Sequence, residues 1–463
     1  MGGGNNVLVA VRCRPMSERE KEKGASPCVE SEDDKMTVTD KASGEQRQFS
    51  FDYCYMSSGI ASDLPDEQAK IYQVLGTEVL NQAYQGYNVT VMAYGQTGSG
   101  KSLTMVGRPS AAGQDCRGLI PRISEGIFNP EVPAGEGMVL AKVELQMLEI
   151  YNEQVRDLLA GPGGSSVVKV REDPASGPYV EGLTKHTVLV YEDVCEKLEV
   201  GLQARTIAGT KMNAGSSRAH TICQLHITRT NLTSTSRARA IDTSSLINLV
   251  DLAGSERVAE AGTADNVVRI KESVNINKSL TALGQCIRAL SEGRADSKHV
   301  PYRDSQLTWL LKNSLGGNAK TIMVAAVAPG SSEYAETLST LRYADRMRKV
   351  QTAAVVNRRS VATIPVIIED PAPQPVIEEG DEEASSQATK TPPSAEFRPR
   401  GKNSPSAKGG ARGRVGFRNT KAYQRPAEMP SRLQVARKLQ SMGSWSKDDL
   451  FCTLKKPLSY YNF

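Results

Sequence analysis

Cysteine is sparse in this sequence and shows no metal-binding or pairing pattern. Eight cysteines are scattered over 463 residues, and no two of them form a C-x-x-C pair. Neither a zinc site nor a disulfide framework is therefore indicated. Free thiols persist where the surroundings are reducing, so we expect a cytoplasmic protein.

Long apolar runs and heptad repeats are also missing. The longest apolar run, residues 322–328, suits a buried strand and is far shorter than the roughly 20 residues that cross a bilayer. No signal peptide is visible. No sustained a/d pattern follows residue 357, so the sequence offers no dimerising coiled coil. We expect no membrane span and a chain that is monomeric in isolation.

Charge is nearly balanced overall but unevenly distributed. The net charge is +5, whereas residues 358–463 carry 18 bases and 11 acids, a net of +7, which leaves −2 for residues 1–357. Seven acids and no bases fall in residues 369–383, and thirteen bases against one acid fall in residues 398–447. Such segments cannot bury enough apolar surface to fold alone. We predict a disordered tail over residues 358–463, acidic in 369–383 and basic in 398–447.

The rest of the chain alternates two kinds of apolar pattern. Short β-branched runs such as "VLVAVRCRP" and "SLINLVDLAG" are typical of buried strands, and "YEDVCEKLEVGLQART" is typical of a helix. This alternation predicts an α/β fold with a central, mostly parallel, twisted sheet and helices on both of its faces.

A glycine-rich segment directly follows the apolar run "VTVMAY". It fits the pattern G-x-x-x-x-G-K-S, in which glycines turn backbone N–H groups toward phosphate oxygens, the lysine reaches the β- and γ-phosphates, and the hydroxyl binds Mg²⁺. The predicted phosphate-binding residues are Gly95, Gln96, Thr97, Gly98, Ser99, Gly100, Lys101 and Ser102.

Two further motifs supply groups that a nucleotide-dependent switch needs. "DLAGSE" follows a buried strand; Asp251 at the strand end can hold Mg²⁺ through water, and the N–H of Gly254 can reach a γ-phosphate. "NAGSSRAH", residues 213–220, places two hydroxyls and an arginine in a polar loop. Together they predict elements whose positions depend on the γ-phosphate.

These motifs, followed by "NINKSLTALG", "PYRDSQLTWLLKNSLGGNAKT" and "ETLSTLRYAD", resemble in order the signature set of kinesin motor domains over residues 6–357. "VKVREDPASGPYVEGLTK" and Trp309 are most similar to the third kinesin family, the organelle-transport type. The resemblance implies a P-loop NTPase motor domain over residues 1–345, a neck linker over 346–357, and a microtubule-stimulated ATPase that uses ATP and Mg²⁺.

The resemblance also implies residue roles in hydrolysis. Lys101 and Ser102 would bind phosphate and Mg²⁺, and Asp251 and Ser217 would complete the set of metal residues. Ser216 would position the attacking water. An ion pair would link the two switch motifs and join Arg218 to Glu256. Chemistry of this kind is phosphoryl transfer to water by positioning and charge stabilisation.

The adenine pocket is implied by the motif "RCRP". Arg12, Arg14 and Pro15 would line it. Leu103 stands where kinesins usually carry an aromatic ring or a histidine against the base, so we expect weaker stacking.

The resemblance also implies a basic surface that binds the acidic track, tubulin. This surface would lie on loops around the helix that follows "DLAGSE". Any one of these residues alone would be interpreted as an ordinary solvated surface. The matching positions are Arg171, Arg269, Lys271, Lys298, His299 and Arg303.

The neck linker would dock on the motor core when ATP binds, and its position after the core predicts plus-end-directed movement. Asn357 occupies the place of the asparagine that latches the docked linker. The cover strand would come from "MGGGNN", in which three glycines make a poor strand.

The sequence thus predicts a microtubule-associated ATP hydrolase that produces movement or force, with the tail open to a cargo or adaptor. One alternative is a non-motile microtubule-binding protein with a regulatory ATPase, suggested by the missing coiled coil and the poor cover strand. A nucleic-acid enzyme, suggested by "KGGARGRVG" in the basic tail, is disfavoured because helicase-type motifs are lacking.

Overall fold

The computed structural model describes residues 6–108, 115–128, 138–161, 167–174, 176–211, 216–231, 240–256, 266–292 and 300–361. The chain divides into two units, Met1–Ile364 and Pro365–Phe463. All described residues belong to the first unit, so the predicted acidic and basic tail segments, 369–383 and 398–447, lie outside them.

Within the described residues the chain forms strands and helices, with runs of consecutive strands over residues 29–56 and 138–188. The strands are β1 Leu8–Cys13, β2 Val29–Glu32, β3 Lys35–Thr39, β4 Gln46–Ser50, β5 Tyr53–Met56, β6 Val89–Tyr94, β7 Met138–Tyr151, β8 Gln154–Asp157, β9 Val167–Asp173, β10 Gly177–Glu181, β11 His186–Val188, β12 His220–Asn231, β13 Ala240–Asp251, β14 Lys320–Val327 and β15 Arg358–Val361. The helices are α1 Glu18–Glu22, α2 Leu64–Ile71, α3 Thr77–Tyr84, α4 Lys101–Met105, α5 Leu119–Phe128, α6 Tyr191–Lys211, α7 Asn266–Ser291, α8 Gln306–Leu310 and α9 Tyr334–Arg348.

The large sheet has the order β10-β9-β8-β7-β12-β13-β6-β14-β1-β5, with β11 beside β7 and β15 beside β13. The strands β13, β6, β14, β1 and β5 run parallel, and the remaining pairs are antiparallel. The sheet is therefore mixed, not mostly parallel as the sequence pattern had predicted. A parallel neighbour needs a long crossover, whereas β7 and β8 are joined by the tight turn at Asn152 and Glu153, whose φ angles of 54° and 59° suit a two-residue hairpin.

The core lies on both faces of this sheet. Along β1, Val9 and Val11 belong to one apolar cluster and Ala10 to the other, because successive side chains of a strand point to opposite faces. Helices α7, α8 and α9 contribute to the first cluster, and α2, α3, α5 and α6 contribute to the second. The apolar run at residues 322–328 comprises the last six residues of β14 and the residue after it, and it is buried as predicted. No helix among the described residues is long and apolar enough to span a membrane.

The segment after α9 continues the fold beyond the predicted start of the tail. Val7 N donates to Val350 O at 3.0 Å, and Asn6 bridges to Gln351. The predicted tail was to begin at residue 358, but residues 358–361 form β15, which pairs antiparallel with the first residues of β13. The backbone of residues 240–243 in β13 supplies the partners that make these four residues a strand.

Candidate functional site

The predicted phosphate loop connects β6 to α4 at the carboxyl ends of the parallel strands. Gly100, which precedes α4, has a φ of 105°, a left-handed conformation that favours glycine. At Gly95 a side chain would collide with the carbonyl oxygen of Ala326 in β14. The loop therefore needs glycine at Gly100 for its backbone conformation, and at Gly95 for both its φ of 148° and the close approach of Ala326.

Lys101 lies under the phosphate loop. Its Nζ donates to the carbonyl oxygens of Gly95 and Gln96, both at 2.8 Å, and the residue is buried. Burial lowers the pKa of the Lys101 ammonium, and the carboxylates of Asp251 and Glu256 oppose that shift. The cation is thus held where phosphate oxygens would offset its desolvation.

Ser102 and Asp251 meet at the predicted metal position. Ser102 Oγ donates to Asp251 Oδ2 at 2.6 Å, and Arg205 Nη1 lies 3.4 Å from the same oxygen. Asp251 is 2% exposed, and its Oδ1 has no hydrogen-bond partner in the described part of the chain. A buried carboxylate oxygen without a partner, beside a hydroxyl, fits the oxygen ligands that Mg²⁺ prefers.

The two switch motifs contact each other and the phosphate loop. Residues Ser216–Arg218 form a short 3-10 turn. Gly254 N donates to Ser217 O at 2.8 Å, and Ser255 N donates to Gly95 O at 3.1 Å. The cleft is therefore enclosed by three loops joined through backbone hydrogen bonds.

His220 joins the switch motifs to α7. Its Nδ1 accepts from Ala253 N at 3.0 Å, so its Nε2 carries the proton and donates to Ser279 Oγ at 2.8 Å. Burial lowers the pKa of His220 to about 3, with Lys101 and Arg205 adding repulsion. The ring is therefore neutral at physiological pH.

Glu256 contacts the phosphate loop. One carboxylate oxygen accepts from Thr97 N at 2.7 Å, and the other accepts from Thr97 Oγ1. The predicted ion pair between Glu256 and Arg218 stays a prediction.

Arg12 and Arg14, which are predicted to line the adenine pocket, have different surroundings from each other. Arg14 donates to Gly98 O at 2.8 Å and to the Glu20 carboxylate at 2.6 Å, and that pairing lowers the pKa of Glu20 to about 2 even though burial opposes it. Arg12 is buried, and its Nη1 donates to Gln68 Oε1 at 2.7 Å and to Thr104 Oγ1 at 3.1 Å. Arg12 thus braces α2 against α4 at the floor of the pocket.

The cleft has a volume of about 960 Å³. The predicted residues that line it are Arg12, Arg14, Pro15, Gln96, Thr97, Gly98, Ser99, Gly100, Lys101, Ser102, Leu103, Ser217 and Glu256. Sequence reasoning missed Ile60, Leu64, Arg205 and Glu333, which also line it. Ile60 and Leu64 add aliphatic surface to the cleft, and no motif marks them because they come from the loop and helix that follow β5.

Four of the six predicted track-binding residues lie in the part of the chain that the structure describes. Arg171 in β9 pairs with Glu181 at 3.0 Å, and Arg303 pairs with Glu172 at 2.7 Å. Arg269 and Lys271 lie in α7. Lys298 and His299 lie outside the described residues.

Asn357 is held by several partners near the ends of β6 and β13 that lie away from the phosphate loop. Its Nδ2 lies 3.0 Å from Gly86 O, 3.0 Å from Asn88 Oδ1 and 3.1 Å from Ser244 O. Its Oδ1 accepts from Asn318 Nδ2 at 3.1 Å. The segment before Asn357 is therefore docked on the core.

The sequence matches one family model and many known relatives. Residues 12–350 match the kinesin motor domain. The chain is 44% identical over 371 residues to Kinesin-related protein 1 of Dictyostelium discoideum, and 42% identical over 381 residues to Kinesin-like protein KIF13B of Homo sapiens. These matches cover 76% and 78% of this chain but only 16% and 20% of the relatives. The chain thus spans a fifth or less of these relatives.

Solved structures agree with the sequence matches. A fast kinesin has a TM-score of 0.67 at 38% identity, covering 80% of this chain and 98% of that one. A KIF14 dimer bound to a microtubule with AMP-PNP has a TM-score of 0.66 at 42% identity, covering 77% of this chain and 97% of that one. The relatives KIF13A, KIF13B, KIF16B and KIF1A are members of the third kinesin family, as the motifs had indicated. This chain belongs to the kinesin motor domain family.

Proposed function

We propose that this protein is a microtubule motor that couples ATP hydrolysis to movement or force. The observation that carries the proposal is the direct bonding of both switch motifs around the phosphate loop, through Gly254 N to Ser217 O and Ser255 N to Gly95 O. Loops joined in this way change position together when a γ-phosphate enters or leaves. The likeness to a kinesin dimer bound to a microtubule supports tubulin as the partner, and with it association with the cytoskeleton.

The residues of the cleft suit phosphoryl transfer to water. Lys101 and the loop N–H groups stabilise phosphate charge, and their geometry is fixed before the reaction, which is the condition for electrostatic catalysis. Ser102, Ser217 and Asp251 would hold Mg²⁺, which would neutralise charge between the β- and γ-phosphates. Ser216 would orient the water. The Gly254 N–H, which donates to Ser217 O at 2.8 Å here, would exchange that bond for one to the γ-phosphate.

Direction and mode of action are finer parts of the proposal. The docked segment that ends at Asn357 follows the core, and this order supports plus-end-directed movement. The non-motile alternative, a microtubule-binding protein with a regulatory ATPase, differs only in what the docked segment does. Because the chain spans a fifth or less of the two relatives compared above, the cargo and partners of the whole protein are proposals as well.

The test is steady-state ATP hydrolysis by the full chain with and without microtubules, with single-stranded RNA and duplex DNA as competing polyanions. We expect turnover to rise at least tenfold with microtubules and not with nucleic acid. The Lys101→Ala variant is the control for contaminating ATPase. Equal turnover with and without microtubules would refute the proposal.

Gliding of polarity-marked microtubules over the immobilised chain separates the two modes. Movement with the minus end leading supports a plus-end-directed motor. Stimulated ATPase without any gliding would favour the non-motile alternative.

A further inference from the structure

Glu172 lies between two cations on the face assigned to the track. It belongs to β9, and its Oε2 accepts from Arg303 Nη2 at 2.7 Å while its Oε1 accepts from Lys312 Nζ at 2.5 Å. These two charge-assisted contacts hold the pKa of the Glu172 carboxyl at about 2. The carboxylate is therefore ionised at neutral pH.

The two cations face solvent although they are paired. The side chains of Arg303 and Lys312 are 74% and 42% exposed, against 23% for Glu172. The guanidinium of Arg303 also lies over the ring of Trp309, 5.5 Å from its centroid. Arg303 and Lys312 thus keep N–H groups exposed to an approaching surface, while Glu172 neutralises part of their positive charge.

Exposed pairs of this kind exchange partners readily. An ion pair in water has a small net stability because solvation and side-chain entropy offset the attraction, so a second carboxylate can replace the first at little cost. Arg303 and Lys312 are 131 and 140 residues from Glu172 in the sequence, and only the fold brings the three charges together.

We propose that Glu172 is an internal counter-carboxylate of the track-binding face, which holds Arg303 and Lys312 in the free motor and competes with the carboxylates of an acidic protein surface for them. The inference rests on the proposed function, in which that surface is tubulin. It adds Lys312 to the residues that contact the microtubule. Glu172 then lowers the affinity of the motor for the microtubule, so that the motor can dissociate from it.

The sign of the effect distinguishes competition from scaffolding. If Glu172 competes, removing its negative charge raises the net charge of this face by one and releases Arg303 and Lys312. Binding to the microtubule then becomes tighter and more salt-dependent. If Glu172 only positions the two cations, removing its charge leaves their side chains without a fixed position, and binding to the microtubule becomes weaker.

The experiment measures the Kd of the full chain for microtubules by co-sedimentation in ADP at several salt concentrations. Glu172→Gln keeps the shape of the side chain and removes its charge, and we expect two- to fivefold tighter binding at low salt, shrinking as salt rises. Glu45→Gln is the matched control, since it removes one charge from another exposed ion pair, with Arg47 at 2.8 Å, and we expect no more than a 1.5-fold change.

Lys312→Gln supplies an independent arm. It should weaken binding more in the Glu172→Gln background than in the wild type, because only there is the ammonium fully available to the track. Unchanged or weaker binding by Glu172→Gln, or an equal effect of Lys312→Gln in both backgrounds, would overturn the inference while wild-type binding stands. Failure of the wild-type chain to bind microtubules would instead overturn the proposed function.

Discussion

Replacing Asn357 by alanine should release the docked segment from the core. In the wild type the carboxamide of Asn357 donates to the region of Gly86, Asn88 and Ser244, and it accepts from Asn318. Alanine removes all of these side-chain contacts. It leaves the two backbone bonds, Asn357 N to Gly86 O at 2.9 Å and Ser244 N to Asn357 O at 3.1 Å.

The size of the effect follows from the number of bonds. An amide nitrogen has two hydrogens, so the three donor contacts amount to two bonds, and the bond from Asn318 makes a third. Each contributes about 1 kcal/mol net, and water replaces part of that at a half-buried side chain, so we expect a loss of about 2 kcal/mol. That is roughly a thirtyfold shift toward the undocked state.

Amide hydrogen exchange of the full chain measures this shift directly. Three amides of the segment are bonded to the core: Ala353 N to Gly317 O, Val355 N to Asn318 Oδ1, and Asn357 N to Gly86 O. Their protection reports local opening, so it should fall about thirtyfold in Asn357→Ala. Val355→Ala is the control, because the Val355 side chain is 59% exposed, and it should change protection less than twofold. Equal protection in the wild type and Asn357→Ala would refute the reasoning.

The remaining predictions concern the cleft and the tail. Lys101→Ala should abolish ATP turnover, because the cation that faces the phosphates is lost; near-normal turnover would contradict the assignment. Arg218→Ala and Glu256→Ala should each keep ATP binding but lose most hydrolysis, and the double variant should be little worse than either one; additive barriers would show that the two do not pair. His220 is neutral in the fold and titrates near pH 6.5 when unfolded, so its burial should cost the native state about 2 kcal/mol as pH falls from 6.5 to 5; His220→Asn should flatten this part of the stability profile measured by urea unfolding. Removing residues 362–463, which include a segment of net charge 13 − 1 = +12, should weaken microtubule binding most at low salt; equal affinity and salt slope would show that the tail is no tether.

The parts of the site that the sequence predicted are those in which neighbours along the chain act together. The phosphate loop is one such part, since Gly95, Gly100 and Lys101 fulfil their roles within seven residues. The bracing of Arg12 by Gln68 and Thr104, which lie 56 and 92 residues away, leaves no local pattern. For the same reason the pairing of Glu172 with Lys312 could not be predicted from either segment alone.

The antiparallel strand pairs of the sheet and the strand β15 were not predicted, for a different reason. Apolar periodicity reports that a strand is buried but not the direction of its neighbour, so the antiparallel pairing of β12 with β7 and β13 was not visible. Composition separates residues that can fold alone from those that cannot. The two arginines of β15 gain order by pairing with β13, which composition cannot detect.

The docked segment and the predicted phosphate loop lie at opposite ends of the same strands. Asn88 precedes β6 and Gly95 follows it, and β13 likewise extends from the neighbourhood of Ser244 to Asp251. A strand of six residues spans roughly 20 Å, and β6 is buried along its whole length. Packed interiors are not continuously deformable, so these strands are poor carriers of a graded signal. Elements that can shift as rigid bodies on the outside of the sheet are better suited. Helix α7 is positioned for this role, because His220 ties it through Ser279 to the loop at Ala253. Coupling between hydrolysis and docking should therefore run through the helices that flank the sheet, with the sheet as their fixed support.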